Sequence, residues 1–162
     1  MLFLRALLAF LLLPTVVAGI VPAWLARGAV PMRGIWLAGG AALAIGVVIL
    51  GWCVRDFYVA GRGTLAPWDP PRRLVVVGLY RWTRNPMYVG VLMLLAGWAL
   101  CFPSRRLAGY ALCVALAVHL RVVFFEEPAL RRRFGQEWEI YAARTNRWWL
   151  RRPAPRKSGG PI

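Results

Sequence analysis

Acidic residues are scarce in this chain. Six Asp and Glu stand against 21 Lys and Arg, for a formal net charge of +15. There is one histidine, His119, so a zinc site built on several imidazoles is excluded. The three cysteines, Cys53, Cys101 and Cys113, are widely spaced and lie within apolar stretches. No pair has metal-binding or redox spacing, and such thiols act as small apolar side chains. No metal is therefore expected. Lysine is almost missing as well: Lys157 is the only one, so nearly all the positive charge is arginine. A charge this high raises nucleic acid as a partner. The chain has no soluble basic domain to bind it, however, and its arginines cluster beside long apolar runs.

Apolar residues are in excess, at 60% of the chain, with a mean hydropathy of +0.56. Soluble domains average about 45–50%. Four runs, over residues 2–24, 35–54, 86–102 and 107–125, reach or approach the roughly 20 helical residues that cross a bilayer core. The third is short, so it stands upright or thins the bilayer locally. Unpaired backbone groups cannot face lipid, so the expected fold is all-α and polytopic, with four transmembrane helices in one bundle. Most of the basic residues fall in the 55–85 loop and after residue 120, whereas Arg27, Arg33, Arg105 and Arg106 mark the opposite face. The positive-inside rule then puts both termini and the middle loop in the cytoplasm. Arg5, an apolar stretch and Val16-Val17-Ala18 also fit a cleavable signal peptide, but the apolar run continues to Trp24, which favours a retained helix.

Pro14 predicts a kink in the first span. Gly39, Gly40, Gly46 and Gly51 predict close helix approach in the second. Asn85 and Pro86 form a start signal for the third, as N-cap and first helical residue. The fourth is expected to end at Phe125, with Pro128 opening a new helix over 128–143. Leu130, Phe134, Trp138 and Tyr141 share one face of that helix, which is expected to lie on the membrane surface. Trp148 and Trp149 suit the headgroup level. The organisation is thus one membrane-embedded domain over 1–149 and a basic tail over 150–162, expected to be disordered and to touch anionic lipid.

The third run starts, and the fourth finishes, on the same face of the membrane. Arg84, Asn85 and Tyr88 therefore sit at the depth of Glu126 and Glu127. Tyr88 shares a helix face with Arg84. His119 lies two turns from Glu126, roughly 10 Å deeper and on the same face. Charged groups gathered at a membrane boundary are costly unless they serve a polar ligand. The glutamates suit an ammonium or ribose hydroxyls, and Arg84 with the free amides opening the third span suits a carboxylate. Tyr80, Trp82 or Tyr88 suits a base or a cation. S-adenosylmethionine carries all these parts, and other nucleotide-like ligands carry most of them. Taken singly, the same residues also read as a solvated helix end and positive-inside anchors, and Arg121 as a side chain that snorkels to the interface.

Two segments carry a more specific resemblance. One is Gly78-Leu79-Tyr80-Arg81-Trp82-Thr83-Arg84-Asn85-Pro86-Met87-Tyr88-Val89-Gly90, and the other runs from Glu126-Glu127 through Leu130, Phe134-Gly135 and Trp138 to Tyr141. They resemble the G-x-Y-x-x-x-R-(H/N)-P-x-Y-x-G and E-E-x-x-L-x-x-x-F-G-x-x-(Y/W)-x-x-Y segments of the isoprenylcysteine carboxyl methyltransferase and phospholipid methyltransferase family. The stretch from Gly61 to Pro67 is similar to the G-x-G-T-x-x-P of bacterial members. The resemblance covers residues 56–149. It implies S-adenosylmethionine bound on the cytoplasmic side and a lipid-like methyl acceptor entering from the bilayer. It implies Arg84, Tyr88, Glu126 and Glu127 as cofactor residues, with His119, Tyr141 and Arg144 beside them. Tyr80 and Asn85 join that set, and Arg84 and Glu127 are expected to serve catalysis as well. Asn85 stands where many members have His, which separates this chain from the prenylcysteine enzymes. Trp138 replaces a frequent Tyr, and Thr145-Asn146-Arg147 replaces a Val-Pro-Arg-like run.

Methyl transfer from a sulfonium is an in-line displacement that needs positioning more than acid–base help. A carboxylate acceptor needs no base. An amine or thiol must lose a proton, for which His119 or a glutamate is available. Carboxylate O-methylation of the prenylcysteine type is the first expectation, with phospholipid N-methylation and thiol S-methylation as alternatives. An NADPH-dependent reductase of the sterol-reductase kind and a non-enzymatic lipid-binding scaffold are the rivals from other classes. The expected location is a bacterial inner membrane.

Overall fold

The computed structural model describes residues 14–31, 34–60 and 74–150. The first half of the first span, the Gly61–Pro67 motif and the basic tail lie outside the described residues, as does the chain preceding the Pro14 kink.

Proline shapes the first helix. α1 (Val16–Leu25) opens with a π turn over Val16–Ile20. Pro22 has no N–H, so the carbonyls of Val17 and Ala18, five and four residues earlier, lose their helical partner. Side chains from other helices replace it. Tyr110 Oη donates to Val17 O at 2.9 Å, and Trp98 Nε1 donates to Ala18 O at 2.9 Å. Such replacement is what apolar surroundings demand of a proline-interrupted helix. Ala18 packs with Val91 and Leu95 in the apolar core, against Leu50, Leu94 and Val114.

α2 (Trp36–Ala60) and α3 (Pro86–Cys101) form the most extensive helix pair. Small residues set their approach. A Cβ on Gly39 would lie 2.9 Å from Cys101 N, one on Gly46 2.9 Å from Gly90 O, and one on Gly97 2.9 Å from Gly39 O. Any side chain there would push the backbones apart. Gly40 and Gly51, expected to serve the same purpose, meet nothing within 4 Å.

The fourth span does not end at Phe125. α4 runs without a break over Arg105–Phe134, with a π turn at Val122–Glu126 just before Pro128. The arrangement repeats that of α1. In both, the residue preceding proline bonds five residues back: Val21 N to Val16 O, and Glu127 N to Val122 O. The wider turn admits the proline ring and lets the helix continue where an α turn would break. α4 stops instead at Gly135, whose φ of +51° and ψ of −121° belong to glycine. α5 (Gln136–Arg144) follows. The single surface helix expected over 128–143 is thus two pieces, and Trp138 and Tyr141 are buried in protein at 5% and 7% exposure.

The described residues are helical, with no strand beyond one isolated bridge. Where four membrane crossings were expected, two helices are long and apolar enough by length and composition: α2 over Trp36–Asp56, and α4. The described part of α1 and the whole of α3 are shorter apolar helices. The 16 residues of α3 extend about 24 Å, short of a hydrocarbon core of about 30 Å.

Candidate active site

Every buried polar or charged residue among those described lies at one end of the bundle: Asp56, Thr83 and Thr145. That end is closed by chain segments far apart in sequence. After α5 the backbone turns extended at Thr145 and runs beside the start of α3, with a parallel bridge between Thr83 and Asn146. Arg84 N donates to Asn146 O at 2.9 Å. Thr83 Oγ1 and Asn85 Nδ2 both donate to Arg147 O, at 3.1 and 3.2 Å. Asn85 is the N-cap residue of α3, as its sequence position predicts, but it makes no side-chain cap bond. Its amide holds the returning strand instead.

Glu127 sits at the centre, 16% exposed in its side chain. Arg147 binds it in bidentate fashion, Nε to Oε1 at 2.8 Å and Nη2 to Oε2 at 2.7 Å. Arg84 Nη1 adds a contact to Oε1 at 3.4 Å. Both carboxylate oxygens are occupied. Burial pulls the Arg84 guanidinium below its ordinary range, and Arg147 pulls the same way while Glu127 opposes them. The hydrogen bonds from Glu127 raise that of Arg147. Arg84 also lies over the Trp138 ring, 5.7 Å from its centroid. Its Nε is buried and has no partner.

Glu126 is placed differently. Its Oε1 accepts from Tyr88 Oη at 2.5 Å and from Arg121 Nε at 2.8 Å, and no described residue donates to Oε2. The Arg121–Glu126 pair spans five residues. On an α-helix those positions point about 140° apart, and the π turn between them brings them together. Arg121 therefore does not simply snorkel to the interface. The π turn also lies between His119 and Glu126, seven positions apart. The imidazole Nδ1 accepts from Trp148 Nε1 at 3.2 Å and stacks on that ring, which draws Trp148 from headgroup anchor to site wall.

Behind this layer, Tyr141 Oη donates to Tyr80 O at 2.7 Å. Burial pushes the pKa of both phenols up, that of Tyr80 well above the usual tyrosine range, so both are neutral at physiological pH. Of the residues singled out from sequence, the structure brings together Tyr80, Arg84, Asn85, Tyr88, His119, Glu126, Glu127 and Tyr141. Arg144 is exposed on the last turn of α5 and makes none of these contacts. Arg147, three residues on, takes the place expected of it. The signal that could have found Arg147 was the Thr145-Asn146-Arg147 run, which stands where the family carries an arginine of its own.

The five charged groups, Arg84, Arg121, Arg147, Glu126 and Glu127, leave an excess of positive charge. Arg84 Nε is buried without a partner, and no described residue donates to Glu126 Oε2. No group of His, Cys, Asp and Glu among the described residues could hold a metal ion.

No curated protein and no solved structure matches the chain. A family model does, that of the phospholipid methyltransferases, over residues 32–137. The match takes in α2, the whole first motif segment, the π turn of α4 and the second segment as far as Glu137; Trp138, Tyr141 and the extended segment at 145–147 lie beyond it. It extends the family likeness upstream of the 56–149 region that the motifs alone define. With well over half its residues matched, the chain belongs to the phospholipid methyltransferase family.

Proposed function

We propose that this chain is an integral-membrane methyltransferase that uses S-adenosylmethionine and methylates a lipid-like acceptor arriving from the bilayer. The observation that carries the reading is the pairing of a buried, unpartnered donor with an open acceptor at the motif-bearing end of the bundle. An α-amino acid moiety presents the complementary pair, a carboxylate for Arg84 and an ammonium for Glu126. The residues present therefore fit this cofactor, and the aromatic faces of Tyr88 and Trp138 suit its adenine or sulfonium. When bound, the cofactor supplies an electrophilic methyl group.

The chain's own contribution is positional. Glu127, saturated by two arginines, fixes Arg84 and the returning strand. Glu126, held on one oxygen by Tyr88 and Arg121, keeps the other for ligand. The positive-inside rule places the site on the cytoplasmic face of the membrane, a bacterial inner membrane in this reading. A prenylcysteine-like carboxylate needs no base at this site. The family description favours a second acceptor chemistry, a phospholipid amine, which must lose a proton on methylation.

The test is binding of S-adenosylmethionine to purified protein in lipid nanodiscs, followed by transfer of a labelled methyl group to a carboxylate-bearing prenylcysteine analogue and to an aminophospholipid. Saturable binding that Glu126→Gln weakens at least tenfold supports the reading, and the labelled product identifies the acceptor. Absence of binding by folded wild type, or preferential protection by NADPH, removes it.

A further inference from the structure

Asp56 belongs to neither recognised motif, yet among the described residues it is the only buried acidic side chain, at 6% exposure. Its cost is plain. A carboxylate withdrawn from water needs a charged partner or several donors, and no arginine or lysine among the described residues pairs with it. One hydrogen bond to it is present, from Leu79 N to Oδ2 at 3.2 Å. The carboxylate reaches that amide because residue 78 is glycine. A Cβ on Gly78 would overlap the Asp56 carboxylate, and its φ of +54° is one that other residues avoid. Two features that are each unfavourable alone, a buried acid and a left-handed backbone, thus meet at one contact.

The contact leads to Arg84 by a short path. Leu79 is a junction: its N–H is held by Asp56, and its carbonyl accepts from Trp82 N at 3.0 Å and from Thr83 N at 3.2 Å. Those bonds form the tight turn over Gly78–Arg81. The next residue, Arg84, carries the unpartnered Nε. Tyr80, inside the turn, is tied through its carbonyl to Tyr141, and its hydroxyl lies near Cys53, one helical turn before Asp56. The turn is therefore clamped between α2 and α5, and Asp56 is its α2 anchor.

We propose that Asp56 is a positioning residue: by holding the Leu79 amide it sets where Arg84 presents its guanidinium to the ligand. The proposal rests on the cofactor reading above. Asparagine at this position keeps the acceptor oxygen without the charge, whereas alanine removes it. A misplacement of about 1 Å in a binding group can cost up to about 100-fold.

The experiment compares wild type, Asp56→Ala, Asp56→Asn and Gly78→Ala in nanodiscs. It reads S-adenosylhomocysteine affinity by calorimetry and amide hydrogen exchange across residues 79–85. The expected result is at least tenfold weaker binding and faster exchange in Asp56→Ala. Asp56→Asn should restore both to within about threefold of wild type. Gly78→Ala, which leaves Asp56 in place but fills its seat, should reproduce the alanine defect even if Asp56→Ala fails to fold. Wild-type affinity and exchange in Asp56→Ala, or an Asp56→Asn variant as impaired as Asp56→Ala, overturns the proposal. If wild type itself binds no cofactor, the functional reading fails and exchange alone decides: unchanged protection of the 79–85 amides in Asp56→Ala overturns the positioning role, and lost protection regained in Asp56→Asn sustains it.

Discussion

Neutralising Glu127 should unsettle this protein far more than neutralising Glu126, although the two are adjacent and chemically identical. In Glu127→Gln, Arg147 loses a bidentate partner at 2.7–2.8 Å and Arg84 loses its contact at 3.4 Å. Two guanidiniums then face each other at a site where the side chains are 14% and 33% exposed. Breaking a fully buried pair costs about 3–5 kcal/mol, and the partial exposure here lowers the expectation to about 2–3 kcal/mol. For a chain of this size that is a fall in melting temperature of roughly 5–10 °C. In Glu126→Gln the lost ion pair has side-chain exposures of 57% and 30%. Such a pair contributes about 0–1 kcal/mol, or under about 3 °C. Thermal unfolding in nanodiscs, followed by the fluorescence of the nine tryptophans, gives both values. Removing the stranded charge in Glu127→Gln/Arg147→Gln should cost no more than Glu127→Gln alone. The reasoning is refuted if Glu127→Gln melts within 2 °C of wild type, taking about 2 °C as the smallest meaningful shift, or if Glu126→Gln falls equally far.

Tyr110→Phe should lose about 1–3 kcal/mol by stranding the Val17 carbonyl. That loss should shrink in a Pro22→Ala background, where the backbone regains a donor; equal losses in the two backgrounds, read by thermal unfolding, would contradict the assignment. Gly46→Ala should destabilise the α2–α3 pair, because its Cβ would lie 2.9 Å from Gly90 O, whereas Gly40→Ala should be neutral or slightly stabilising. The comparison needs only melting temperatures. Gly135→Ala should cost about 1–3 kcal/mol from its φ of +51° and should speed limited proteolysis between α4 and α5.

Much of this site could be read from the sequence because one motif opens α3 and the other stands where the apolar run of α4 gives way to charge, so that relative depth follows from counting. Arg84, Tyr88, Glu126 and Glu127 meet for that reason. The π turn could not be read in the same way. Val-Val-Phe-Phe is apolar at every position, so it carries no periodicity from which a one-residue change of phase could be detected. Pro128 was read as a helix boundary because an α turn cannot hold proline, whereas the wider turn before it can. The place of Arg147 depends on contacts with Thr83, whose hydroxyl donates to the Arg147 carbonyl 64 residues away, and periodicity along the chain does not encode such a contact. The buried faces of Trp138 and Tyr141 have the same origin. Their spacing fits a membrane-surface helix and an inward-facing one equally well, and tertiary packing decides between the two.

The strand at 145–147 also fixes the order in which the site can come into being. The helices that carry Arg84, Tyr88, Glu126 and Glu127 are complete once Phe134 has left the ribosome, yet Arg84 N, Asn85 Nδ2 and the Glu127 carboxylate acquire their partners from this segment only when Asn146 and Arg147 arrive. A nascent chain can therefore complete those helices and the contacts of Glu126 with Tyr88 and Arg121 while Glu127 and the start of α3 still await the segment that ties them. On the cofactor reading proposed above, the site is expected to be assembled only in that last step.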